Sequence, residues 1–149
     1  MVEAGELRGL TSNPTIFEKA IVGSNDYGAY IRELVAKGLD AAAIYYRLTT
    51  DDIRRSADLL RPVHDETGGR DGFVSIEVSP RLAHDTEATI AEACALWAAV
   101  KRRNLFVKVP ATREGLPAIR RLIADGINDN VTLLFGLSRY REVADAYAG

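Results

Sequence analysis

Cysteine is nearly missing from this 149-residue sequence: Cys94 stands alone, so no intrachain disulfide can form. Histidine is scarce too. His64 and His84 are too far apart for an H-x-x-x-H pair and there is no C-x-x-C, so the spacing offers no zinc ligand set, and no metal is expected. Long apolar runs are lacking; stretches such as Val131 to Phe135 fall far short of the roughly 20 residues that span a bilayer. No basic, apolar, small-residue signal opens the chain, and a cytosolic (cytoplasmic) protein without membrane contact is expected. Nor is there an excess of positive charge. With 19 Lys and Arg against 21 Asp and Glu, the net charge of −2 provides no field to hold a phosphate backbone, which argues against nucleic acid as a partner.

What is present is the composition of one ordinary globular domain, 47% hydrophobic and 27% charged, with no linker or low-complexity tract. Strand and helix signals alternate along it. Leu7 to Asn13 reads as a first strand ending at Pro14, and Ile16 to Lys37 as helical with a break around Gly23 to Asp26. Thr49-Thr50-Asp51-Asp52 resembles a cap before a helix carrying Ile53, Ala57 and Leu60 and ending at Pro62. Gly72 to Ser79 alternates strictly as a second strand. Asp85 caps an Ala-rich helix reaching about Arg103; Leu105–Val109 is a strand, Glu114–Ala124 a helix, Ile127–Phe135 a strand, and Ser138 opens a last helix. Strands joined by such helices lie parallel, giving an α/β fold that is either an open doubly wound sheet or a closed (β/α) barrel. The turns Asn13-Pro14-Thr15, Ser79-Pro80-Arg81 and Pro110-Ala111-Thr112 lack the glycines of a dinucleotide or P-loop site.

Polar residues inside buried strands are the informative ones, because an unpaired polar group there costs several kcal/mol in order of magnitude. They are Thr11 and Asn13, Ser75 and Glu77, Lys108, and Asn130 and Thr132. In a barrel these converge near the C-terminal strand ends, where barrel enzymes place their chemistry. Lys108 lies between Val107 and Val109 with Phe106 on its own face, a setting that disfavours an ammonium ion and favours a nucleophilic amine able to form a Schiff base. Glu77 can move protons directly or through a water, and carbon–carbon cleavage beside a ketone is the matching reaction. On spacing alone the alternatives are a buried Lys108–Glu77 ion pair of purely structural meaning, or a Lys108 that merely reaches solvent at a strand end. Other features read plainly: Cys94 and Trp97 as packed helix residues, His64 and His84 as solvated or hydrogen-bonded, Arg54, Arg55, Arg61 and Arg70 as a solvated face, and Tyr45-Tyr46-Arg47 as packing between the inserted helices.

At these residues the sequence resembles the transaldolases: GLTSNPTIFEKAI from Gly9, VSIEVSPRLAHDT from Val74, NLFVKVPAT from Asn104 and GINDNVTLLF from Gly126 match in order. The resemblance is to the longer bacterial type, including forms fused to a glucose-6-phosphate isomerase domain. It implies a (β/α)8 TIM barrel of the class I aldolase type and transfer of a dihydroxyacetone unit from a ketose phosphate to an aldose phosphate, with no cofactor. It assigns Lys108 as the Schiff-base lysine, Glu77 as the carboxylate that activates a water, and Thr132 as the residue positioning that water. By the same likeness Asn13 and Asn130 bind the three-carbon unit, while Thr11 and Ser75 line the site.

Two features depart from the pattern. Asp129 stands where GINVNVTL has an apolar residue and should face the helix layer, where it must find a partner or raise its pKa. The length departs too, since such barrels take roughly 250 residues and only four strands are legible here. The resemblance therefore implies an N-terminal partial chain, residues 1–149 forming a partial barrel without its first strand and later strands. Glu3 and Glu6 stand too close to the first strand to belong to a preceding one, so the family's acid/base aspartate has no match. Sugar phosphates are the implied substrates, and self-association or a complementing barrel segment is the implied partner.

Overall fold

The structure is a computed structural model and describes residues 6–149, so Glu3 lies outside the described residues. Its four strands are β1 (Gly9–Thr11), β2 (Phe73–Glu77), β3 (Leu105–Pro110) and β4 (Asp129–Thr132), which form one sheet in the order β1-β2-β3-β4. Every neighbouring pair is parallel. The connections are helical: α1 (Pro14–Gly23), α2 (Gly28–Ala36) and α3 (Ala41–Glu66) join β1 to β2, α4 (Thr86–Val100) joins β2 to β3, and α5 (Gly115–Ala124) joins β3 to β4. A last helix, α6 (Leu137–Ala148), follows β4. This is an α/β fold with the strand order of part of a (β/α)8 barrel; the four strands leave the barrel unclosed.

The two faces of the sheet differ as alternation dictates. Val74, Ile76 and Val78, with Leu105, Val107 and Val109, are almost wholly buried against Ile53, Ala57 and Leu60 of α3, Ala93 and Leu96 of α4, and Ile119 and Leu122 of α5. Burial of such side chains contributes roughly 1.5–3 kcal/mol each and fixes the register, because a one-residue slip would turn every one of them to the opposite face. That opposite face receives Phe73, Ser75, Glu77, Phe106, Lys108 and Asn130. Phe73 and Phe106 stack at its N-terminal end, with ring centroids 4.4 Å apart.

Several boundaries differ from the sequence reading. The long helix begins at Ala41, where the Asp40 carboxylate accepts from the Ala43 N–H, rather than at Thr49-Thr50-Asp51-Asp52. Those residues lie mid-helix, and the two threonines turn their hydroxyls back to the Tyr45 and Tyr46 carbonyls. The helix also continues through Pro62 to Glu66. Pro62 is on the exposed side, and burial of Leu60 and His64 on the other side holds the following turn against the roughly 3 kcal/mol an interior proline costs. His64 is thereby buried in the helix rather than set in a turn, edge-on to Phe73 at 5.1 Å and with its Nδ1 3.3 Å from the Asp65 carboxylate, so of the two readings the hydrogen-bonded one holds and the solvated one does not. Arg54 is likewise no solvated side chain: it donates to the Ala99 carbonyl and to Asp51, tying α3 to α4. β1 is confined to Gly9–Thr11 because Asn13 already caps α1, and β4 stops at Thr132 because Leu133 takes a left-handed conformation with φ 61°.

α4 also ends at Val100, short of Arg103, and α6 opens at Leu137 rather than at Ser138, while the capping and packing expectations match. Asp85 caps α4, accepting from Ala88 N–H, and the helix stops at left-handed Lys101. Cys94 and Trp97 pack against the core, and His84 meets Glu114 at 3.1 Å. The inserted helices are clasped as the Tyr45-Tyr46-Arg47 reading anticipates: Tyr45 stacks edge-on with Phe17 of α1, and Arg47 reaches the Tyr30 hydroxyl. Tyr30 donates to Asp51 at 2.6 Å and Tyr27 to Asp52 at 2.5 Å. The bond to Asp52, with burial and the Asp52 and Asp26 charges, pushes the Tyr27 hydroxyl pKa up to about 12.

Candidate active site

The parallel register places Glu77 beside Lys108 and Lys108 beside Asn130, so one row across three strands carries a carboxylate, an amine and an amide. Ser75 lies one step nearer the N-terminal strand ends, beside Thr11 on β1. Hydrophobic burial of Val107 and Val109 turns Lys108 to this face without any choice by the lysine itself. Its Nζ donates to Glu77 Oε2 at 3.2 Å and to the Ser12 backbone carbonyl at 2.9 Å, with the lysine side chain only 12% exposed. The ion pair foreseen as an alternative is therefore present. An ion pair does not exclude chemistry, because it holds a nucleophile and a proton acceptor in contact.

The remaining candidate residues surround this pair unequally. Asn130 Nδ2 approaches Ser75 Oγ at 3.4 Å, and Thr132 Oγ1 approaches the Val109 carbonyl at the same distance. Thr132 sits one step beyond Lys108, beside Pro110, with no bond to Glu77. Asn13 caps α1, its side chain accepting the Ile16 N–H at 2.9 Å. Thr11 is exposed on the edge strand. Lys108, Glu77, Ser75 and Asn130 are thus brought together, with Thr132 and Asn13 at the rim and Thr11 at the edge.

A cavity of about 550 Å³ opens beside the strand ends, walled by Ser12, Asn13, Glu77 and Arg81 together with Phe17 and Tyr45. Both hydrogen-bond partners of Lys108, Ser12 and Glu77, belong to its wall, whereas Lys108 itself, Ser75, Asn130 and Thr132 do not. A second carboxylate, Glu92, is occupied there by the Ser79 N–H at 2.7 Å. No cluster of three or more His, Cys, Asp or Glu placed to hold a metal occurs among the described residues. No described helix is long and apolar enough to cross a membrane.

Ser12 is the residue the sequence reading passed over. It is buried, and its Oγ and N–H both bond to the Ser75 carbonyl, at 2.8 and 3.2 Å. Its position between Thr11 and Asn13 in the TSNPT run was the only local signal, since its partner Lys108 is 96 residues away. Asp129 faces the helix layer as expected and finds no partner: neither carboxyl oxygen has a hydrogen bond of good geometry. Burial lifts its pKa to about 7, against a smaller downward pull from the Asn130 N–H.

The family model described as Transaldolase/Fructose-6-phosphate aldolase matches residues 1–149. The chain is 58% identical over 139 residues to a protein named transaldolase from Acidothermus cellulolyticus, covering 93% of this chain and 37% of that protein. A transaldolase of Saccharopolyspora erythraea is 56% identical over 139 residues, with the same coverage of both chains. One from Mycobacterium tuberculosis is 51% identical over 147 residues, covering 99% of this chain and 39% of that protein. The chain thus spans less than two-fifths of the length of these curated relatives. With a parallel α/β sheet, a lysine and carboxylate in register on its polar face, and a match along the whole sequence, this chain belongs to the transaldolase/fructose-6-phosphate aldolase family.

Proposed function

We propose that this chain carries the nucleophilic part of a transaldolase site. Lys108 attacks C2 of a ketose phosphate, sedoheptulose 7-phosphate or fructose 6-phosphate, and the protonated imine accepts the electrons released when C3–C4 breaks. The dihydroxyacetone unit then passes to glyceraldehyde 3-phosphate or erythrose 4-phosphate, a step of the non-oxidative pentose phosphate pathway in the cytoplasm. The Lys108–Glu77 contact at 3.2 Å carries this reading. Glu77 also borders the cavity, where it can exchange protons with a water during imine formation and hydrolysis. Thr132 positions that water, while Asn130 and Asn13 bind the three-carbon unit and Ser75 and Thr11 line its surroundings.

The rest of the site comes from a complementing barrel segment. β1 and β4 are open edges, and Leu133, Phe135 and Leu137 expose large apolar side chains beside β4, which favours association with that segment or between copies. The family description also covers fructose-6-phosphate aldolase, which would release free dihydroxyacetone without an acceptor. The long α1–α3 insertion and the transaldolase relatives favour transfer over release. A chimera in which this chain replaces the matched 139 residues of the Acidothermus cellulolyticus protein tests the proposal. It should form sedoheptulose 7-phosphate from fructose 6-phosphate and erythrose 4-phosphate, and lose that activity with Lys108→Ala. A folded chimera without activity, or one indifferent to Lys108→Ala, would overturn it. Free dihydroxyacetone made without an acceptor would select the aldolase.

A further inference from the structure

Lys108 is held by two acceptors of different kinds. Glu77 is a side chain that can move, whereas the Ser12 carbonyl belongs to a buried backbone fixed by two hydrogen bonds to the Ser75 carbonyl. We infer that Ser12 is the positioning residue for the Lys108 amine. This inference rests on the Schiff-base reading for its chemistry and on the Ser12–Lys108 contact for its geometry.

An ammonium group directs three N–H bonds tetrahedrally, and Ser12 O and Glu77 Oε2 take two of them. The third direction is left for the substrate. When a proton leaves along it, the lone pair appears there and the Nζ–C2 bond forms. Two of the three original Nζ protons end on the ketone oxygen, which departs as water, and the protonated imine keeps one N–H. That last N–H needs one acceptor. The Ser12 carbonyl keeps it, which releases Glu77 to exchange protons with the departing and returning water. The Ser12 hydroxyl takes no part in the chemistry; its bond at 2.8 Å to the Ser75 carbonyl of β2 sets where the carbonyl stands.

NMR of the full 149-residue chain tests this through the scalar coupling across the hydrogen bond between Lys108 Nζ and the Ser12 carbonyl carbon. A parallel assay measures the rate at which borohydride traps fructose 6-phosphate on Lys108. Ser12→Ala should at least halve the coupling and slow trapping about tenfold, and Ser12→Thr, which keeps the hydroxyl, should restore both. Ser12→Cys, similar in size but a weak donor, replaces the alanine variant if that one fails to fold. Unchanged coupling in the alanine or cysteine variant overturns the inference, as does a lost coupling with an unchanged trapping rate. If neither the unaltered chain nor the chimera forms an adduct while the coupling is present and responds as stated, the positioning role stands and the Schiff-base reading falls.

Discussion

Replacing Asp129 by valine is expected to stabilise the fold, and to do so in a pH-dependent way. Both carboxyl oxygens are buried without a hydrogen bond of good geometry, and burial, only partly offset by the Asn130 N–H, raises the folded-state pKa from its ordinary value of 3.8 to about 7. Between these two values the folded state holds a proton that the unfolded state releases, so stability falls as pH rises through that window and levels off above pH 7. The gap is about three pH units at about 1.36 kcal/mol each, or about 4 kcal/mol in all. Below pH 4 the neutral carboxyl is still unpaired, which leaves a deficit of about 1–3 kcal/mol relative to an apolar side chain. Urea unfolding followed by the fluorescence of Trp97, the single tryptophan, measures this directly. The Asp129→Val chain should exceed the unaltered chain by a margin that grows by about 4 kcal/mol between pH 4 and pH 8. A margin independent of pH, or a less stable variant at pH 8, would refute the reasoning.

Other perturbations follow from single contacts. Asn104 is fully buried and its Nδ2 bridges the Ala57 and Gly72 carbonyls at 2.8 Å, so Asn104→Ala should cost about 2–4 kcal/mol, read as a fall in Tm. At Gly72, with φ 78°, an added Cβ would overlap the His64 backbone nitrogen and lie 2.7 Å from the Leu60 carbonyl oxygen; Gly72→Ala should therefore leave little folded protein by circular dichroism. Tyr27→Phe removes one hydroxyl bond to α3 and should cost about 1 kcal/mol, whereas Tyr30→Phe removes two, to Asp51 and from Arg47, and should cost more; both should speed proteolysis between α1 and α2.

Much of this was legible where one physical constraint dominated. The alternation in Gly72–Ser79 and around Lys108 left one arrangement that buries the valines, and that arrangement put Glu77 and Lys108 on the same face. The α3 boundaries were not legible, because threonine and aspartate have the same hydrogen-bonding appetite mid-helix as at a cap, and the apolar run Ala41-Ala42-Ala43-Ile44-Tyr45-Tyr46 after Asp40 is continuous rather than spaced at helical intervals. Pro62 misled for a related reason: a proline's local cost is visible in sequence, while the burial of Leu60 and His64 that outweighs it is tertiary. Ser12 escaped notice because its role is exercised by a backbone atom. Asp129 was recognised as a carboxylate facing the helix layer, but its lack of any partner required the packing of the whole layer.

The nucleophile itself is open to the most direct test. The chain, incubated with fructose 6-phosphate and reduced with borohydride, should gain one three-carbon adduct by intact mass, mapped to the peptide bearing Lys108 and missing in Lys108→Ala. If the open half-site cannot hold the donor, the adduct should appear in the chimera that supplies the remaining barrel. An adduct on another lysine, one that survives Lys108→Ala, or none in either protein would contradict the assignment of Lys108 as the group that binds the sugar.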